Sequence, residues 1–161
     1  MKLRGWMVAL ALFGASVSFA KGQDLKSTDL KSPNAGEYVP RLSDIMSAVQ
    51  TRHQKLWLAG KAQNWELAAF ELNQLKAGLI EAALLYSGIP VSNVTTLDTP
   101  LQSVSDAIAA KDGRKFAKAA GDLTEGCNAC HQSMKLGFVV IKVPAEQQPF
   151  GNQQFSPQGK P

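Results

Sequence analysis

Two cysteines and two histidines are all that 161 residues hold of the side chains that zinc prefers. A structural zinc site takes four Cys or His ligands, and His53 lies far upstream of the group Cys127, Cys130 and His131, which argues against one. Parallel-strand patterns are missing as well. The residues before Cys127 follow a helical period, so a thioredoxin-type Cys-x-x-Cys, which opens a helix inside a βαβ unit, lacks its setting. A membrane span is not expected either. The apolar run from Trp6 to Val17 is too short to cross comfortably and is followed by the polar Lys21-Gly22-Gln23-Asp24.

That run has another use. Lys2 and Arg4 precede it, and Ser18-Phe19-Ala20 supplies the small-x-small pattern of a signal peptidase site, so residues 1 to 20 read as a cleaved export signal. Without them the 17 basic residues fall to 15 against 13 acidic ones, a net charge of +2. Nucleic-acid binding relies on a far stronger basic surface, and no nucleic-acid partner is expected. The 141 residues that remain suffice for one domain with a core.

What the sequence does contain is the run Cys127-Asn128-Ala129-Cys130-His131. Two thiols three apart, followed at once by imidazole, are the attachment signature of c-type haem. On a helix, residues three apart share a face, so both sulfurs reach the vinyl groups on one porphyrin edge while the adjacent histidine turns a ring nitrogen toward iron. Export across a bacterial inner membrane, where covalent attachment takes place, agrees with the signal at the other end. A plain disulfide between Cys127 and Cys130 is the alternative, and it gives His131 no role. The expected compartment is the periplasm, with no membrane association after signal cleavage.

Residues 21 to 39 are rich in Lys, Ser, Asp, Gly and Pro without an apolar period and read as an extended leader. A first helix follows on the stripe Leu42, Ile45, Met46, Val49, His53, Leu56 and Gly60. Asn64 is the expected N-cap of a second, whose stripe Trp65, Ala68, Leu72, Leu75, Leu79, Ala83 and Tyr86 ends at Gly88. Residues 88 to 99 read as a loop. Thr99 as cap with Pro100 in the first turn starts a short third helix along Leu101, Val104, Ile108 and as far as Lys111. Asp112-Gly113 turns the chain into a fourth, with Phe116, Ala120, Leu123, Cys127, Cys130 and Met134 on one face and continuing about a turn beyond His131. The expected fold is all-α, an antiparallel four-helix bundle over residues 40 to 137 with the sulfurs on its core face. Residues 138 to 161, where the β-prone Phe138-Val139-Val140-Ile141-Lys142-Val143 gives way to prolines and glutamines, read as an extended or partly disordered arm whose apolar run packs over the haem end.

A four-helix bundle with Cys-x-x-Cys-His near the end of its last helix resembles the class II cytochromes c, the family of cytochrome c prime and its low-spin relatives. The similarity spans about residues 40 to 137. Its firmest stretch runs from Ala110-Lys111-Asp112-Gly113-Arg114-Lys115-Phe116 through Gly126 to His131. Class I cytochromes c differ in order, with the haem motif near the start and a ligating methionine late. The resemblance implies one covalent haem c held by thioethers from Cys127 and Cys130, with His131 the proximal iron ligand, and redox proteins of the periplasm as partners. The C-terminal arm departs from the family's usual short finish.

The sixth iron position decides what such a site does. Met46, about a turn into the first helix, is the first choice for distal ligand, as in the family's low-spin members. His53 is the rival, on nearly the same face but displaced by roughly 10 Å along the helix. An open sixth position is the third possibility. With Met46 bound the protein is a one-electron carrier; with an open apolar site it binds nitric oxide or carbon monoxide, as cytochrome c prime does. Catalysis is not expected, because His53 alone offers distal acid–base chemistry. A reading of another class, a helical periplasmic scaffold with a Cys127–Cys130 disulfide and no haem, stays open. Trp57 and Trp65 are expected as core anchors, and Arg41, Arg52 and Lys55 as solvated surface; the alternative for the three cations is contact with haem propionates or an acidic partner, and only Arg41 is close in sequence to the expected haem end. The first two helices permit a homodimer without requiring one.

Overall fold

The computed structural model describes residues 38–144, 150 and 153–157. Residues Val39–Pro161 form one compact unit of the chain. The expected signal, residues 1–20, and residues 21–37 of the expected leader lie outside the described residues.

The unit is all-α. Its elements are α1 (Leu42–Lys61), α2 (Trp65–Leu85), a short α3 (Val91–Thr95), α4 (Asp98–Ala109) and α5 (Gly113–Ser133), and no strand occurs among the described residues. Each long helix buries the stripe its sequence marks: Ile45, Val49, His53 and Leu56 on α1, Ala68, Leu72, Leu75 and Leu79 on α2, Leu101 and Val104 on α4, Phe116, Ala120 and Leu123 on α5. α1 packs on α2 and α5, and α4 on α5 and α2, so the four long helices close a circuit around one core.

The turns repeat one device. Gln63, Lys111 and Lys135 sit in the left-handed region at φ 56°, 52° and 59°. Each lets two amides return to orphan carbonyls of the ending helix: Asn64 to Ala59 and Gln63 to Gly60, Asp112 to Ala107 and Lys111 to Ile108, Leu136 to His131 and Lys135 to Gln132. In the first two the next residue caps the following helix. Asn64 accepts from the Leu67 amide, and Asp112 accepts from the amides of Arg114 and Lys115. Those bonds, the Lys115 amide foremost, hold the Asp112 carboxyl below its ordinary range.

Four boundaries differ from the sequence reading. The loop expected over 88–99 contains α3, which Pro90 opens in extended conformation. The next helix starts at Asp98, not at a Thr99 cap, because α3 turns almost directly into α4 through Leu97, a residue 2% exposed whose burial fixes the junction. Pro100 then falls in the first turn, where an amide has no intrahelical partner to lose. Lys111 lies outside α4, and α5 ends at Ser133, closer to His131 than expected, because Lys135 takes up the left-handed turn.

Phe116 is fully buried at the end of α1. Trp57 stacks on it with ring centroids 6.3 Å apart, and Trp65 meets it edge-on at 6.0 Å. The cations read as free surface all have partners. Arg52 reaches the buried Glu71 at 3.1 Å, Arg41 pairs with Asp44 at 2.9 Å, and Lys55 stands 4.9 Å over the Phe150 ring. Phe150 in turn lies against Phe155, a wholly buried member of the core that the sequence reading left in the arm.

Candidate haem site

A cavity of about 460 Å³ opens between α1, α2, α5 and the segment after α5. Cys127, Cys130 and His131 line it from α5, and Met46 and His53 from α1. All five residues nominated from the sequence therefore line one space, although 74 positions separate His53 from Cys127, because α1 packs on α5. Leu75, Leu79 and Leu97 supply much of the apolar wall, and Val139 and Ile141 close another side. Its size is that of an ordinary small-molecule site, roughly 300–1,000 Å³.

The two thiols are half-buried and unbridged. Burial, with Cys130 adding to it, pushes the Cys127 thiol up to about 11, and burial raises Cys130 as well. Both are neutral thiols at physiological pH, which does not suit thiolate exchange of the thioredoxin kind. Among the described residues no group of three or more His, Cys, Asp or Glu is gathered to hold a metal ion. The donors are thus arranged as two sulfurs and one imidazole along α5 facing a thioether and a second imidazole on α1.

The two histidines are held differently. His131 has Nδ1 at 2.7 Å from the Val139 carbonyl. A carbonyl only accepts, so Nδ1 carries a proton, and in the neutral ring the lone pair lies on Nε2. His53 is 5% exposed, and its Nε2 is 2.8 Å from the Thr124 hydroxyl. That hydroxyl donates to the Ala120 carbonyl at 2.8 Å, so Nε2 is the donor to Thr124 and Nδ1 is left as a buried lone pair without a partner. Burial lowers the His53 pKa, which keeps the ring neutral.

Two residues that bond to side chains or backbone lining the cavity were not singled out from the sequence. Thr124 interrupts the apolar stripe of α5 one turn before Cys127, and a polar residue on a core face was the signal that could have exposed it. Asn128 binds Ile141 by both ends of its amide, and that partner thirteen residues away leaves no mark in local pattern. No family model, no curated protein and no solved structure matches this chain.

Proposed function

We propose that the chain is a periplasmic one-electron carrier with a single covalent haem c, built as an antiparallel four-helix bundle of the class II cytochrome c kind. The observation that carries this reading is the common cavity lined by Cys127, Cys130 and His131 on one side and Met46 on the other. The residues present fit the group. The cavity is largely apolar, both sulfurs are free, and His131 offers Nε2 with its other nitrogen already engaged. Bound haem supplies the one-electron iron couple; the chain holds, orients and desolvates it.

Register along α1 and α5 supports Met46 over His53 as the distal ligand. Gly60 meets the Phe116 ring, and seven residues earlier on α1 His53 meets Thr124, eight residues later on α5. Another seven residues along each helix in those senses bring Met46 level with His131. His53 stands roughly 10 Å deeper along α1. Met46 and His131, each fixed on a packed helix, would hold a bound iron with little rearrangement between its oxidation states, which suits transfer to and from redox proteins of the periplasm rather than catalysis. The export reading rests on residues 1–20 of the sequence.

Expression in a host competent in cytochrome maturation tests this directly. The mature chain is expected to be red, to keep its haem on a denaturing gel, and to exceed the polypeptide mass by one haem. A colourless product of bare polypeptide mass overturns the proposal and leaves a helical scaffold. Met46→Ala is expected to convert a low-spin ferric spectrum with a weak long-wavelength sulfur band to a high-spin one; an unchanged low-spin spectrum removes methionine from iron.

A further inference from the structure

We infer that Asn128, which lies between the two cysteines, is a positioning residue for His131: it fixes the chain at Ile141 so that the Val139 carbonyl stays on the Nδ1 side of the His131 ring. The consequence at iron rests on the haem reading above, whereas the clamp belongs to the polypeptide alone.

The Asn128 amide faces the Ile141 backbone as a neighbouring strand would. Its Nδ2 donates to the Ile141 carbonyl at 2.9 Å, and its Oδ1 accepts from the Ile141 amide at 2.8 Å. Two bonds between planar groups fix both distance and twist. Val139, two residues back, is tied on its other side, where its amide donates to the Leu136 carbonyl at 2.8 Å and the Leu136 amide donates to the His131 carbonyl at 2.7 Å. The segment thus leaves α5 just past His131, turns at Leu136, presents the Val139 carbonyl to the ring, and returns to α5 at Asn128, three residues ahead of His131.

Side-chain packing around the turn gives little to replace the clamp. Phe138 is 81% exposed and Val140 60%, on either side of Val139, which is itself 39% exposed. Without the Asn128 anchor the peptide group between Val139 and Val140 is held from one side only and is free to turn its carbonyl to water. The proton on Nδ1 would then lose a fixed acceptor. A carbonyl accepting from Nδ1 increases electron donation by Nε2 and favours the ferric state, so the clamp sets the potential through the proximal ligand.

The test uses the full mature chain as purified, labelled with nitrogen-15 and kept reduced, with Asn128→Ala compared to the parent. Three quantities are read: hydrogen exchange at the Ile141 amide, hydrogen exchange at His131 Nδ1, and the reduction potential. The proposal expects both exchange rates to rise at least tenfold and the potential to rise, by 59 mV for each tenfold loss of ferric preference. It is overturned if Ile141 exchanges faster while His131 Nδ1 and the potential stay at parental values, or if the parent shows no protected Nδ1 proton. Should Asn128→Ala lose the parental helix content, Asn128→Asp replaces it. That variant keeps an acceptor for the Ile141 amide, drops the donor, and is judged by the same readings. A chain without haem gives no potential, and the exchange rate at Nδ1 still decides.

Discussion

Gly60→Ala puts the packing between α1 and α5 to a quantitative test. A Cβ built on Gly60 would run into Cε1, Cζ and Cδ1 of Phe116. The ring has nowhere to retreat, since it is 0% exposed with Trp57 stacked on it and Trp65 against its edge. Replacing a helical glycine by alanine gains at most about 1 kcal/mol from backbone entropy. Forcing an extra methyl into a filled core costs about 1–3 kcal/mol, and a collision with three ring carbons belongs at the upper end. The net expectation is a loss of about 1–2 kcal/mol, or roughly 3–8 °C in midpoint for a chain of this size. Thermal and urea unfolding followed by circular dichroism measure it. Gly121→Ala is the matched control, because it lies inside α5 and nothing stands within 4 Å of its added methyl, so it is expected to gain roughly 0.5–1 kcal/mol. If Gly60→Ala is as stable as Gly121→Ala, Phe116 does not fill the notch that Gly60 leaves, and the register inferred between α1 and α5 at the cavity loses one of its two anchors.

Three other outcomes follow from the same geometry. Thr124→Val keeps the shape of the side chain but leaves both nitrogens of the buried His53 without a partner, and a loss of about 1–3 kcal/mol is expected in denaturant unfolding, with Thr124→Ser retaining much of the stability. Burial lowers the pKa of folded His53 below the ordinary 6.5, so the unfolded chain takes up a proton first as pH falls. Stability is therefore complete above 6.5 and declines from there down to the lowered folded value, by up to about 1.4 kcal/mol per pH unit; His53→Gln should flatten the parent's slope in that window, and an identical slope would exclude His53 as its source. Lys111→Gly relieves a left-handed residue at φ 52° between α4 and α5 and is expected to stabilise by about 0.5–1 kcal/mol in the same unfolding assay.

Local pattern alone determined a good deal of this protein. The 3.6-residue stripes marked all four long helices, because an apolar face must be buried and helix geometry spaces it regularly. The caps Asn64 and Asp112 were readable for the same local reason, as their side chains bond amides two or three residues on. The run Cys127 to His131 was legible because its residues are contiguous.

Tertiary structure decided what depends on partners distant in the chain. Thr99 looks like a cap and is not one, since the burial of Leu97 moves the start of α4. Phe155 sits in a stretch of prolines and glutamines yet belongs to the core, a matter of where the chain returns rather than of its neighbours. Arg52 reads as surface until Glu71 is brought to it across the α1–α2 contact. Which nitrogen of His131 and of His53 holds the proton is likewise set by Val139 and Thr124, through bonds that exist only after the helices have packed and the chain beyond α5 has folded back. Sequence spacing fixes what lies along one helix; which groups face each other across helices is fixed by the shapes that fill the core, and the chemistry of the cavity depends on the second.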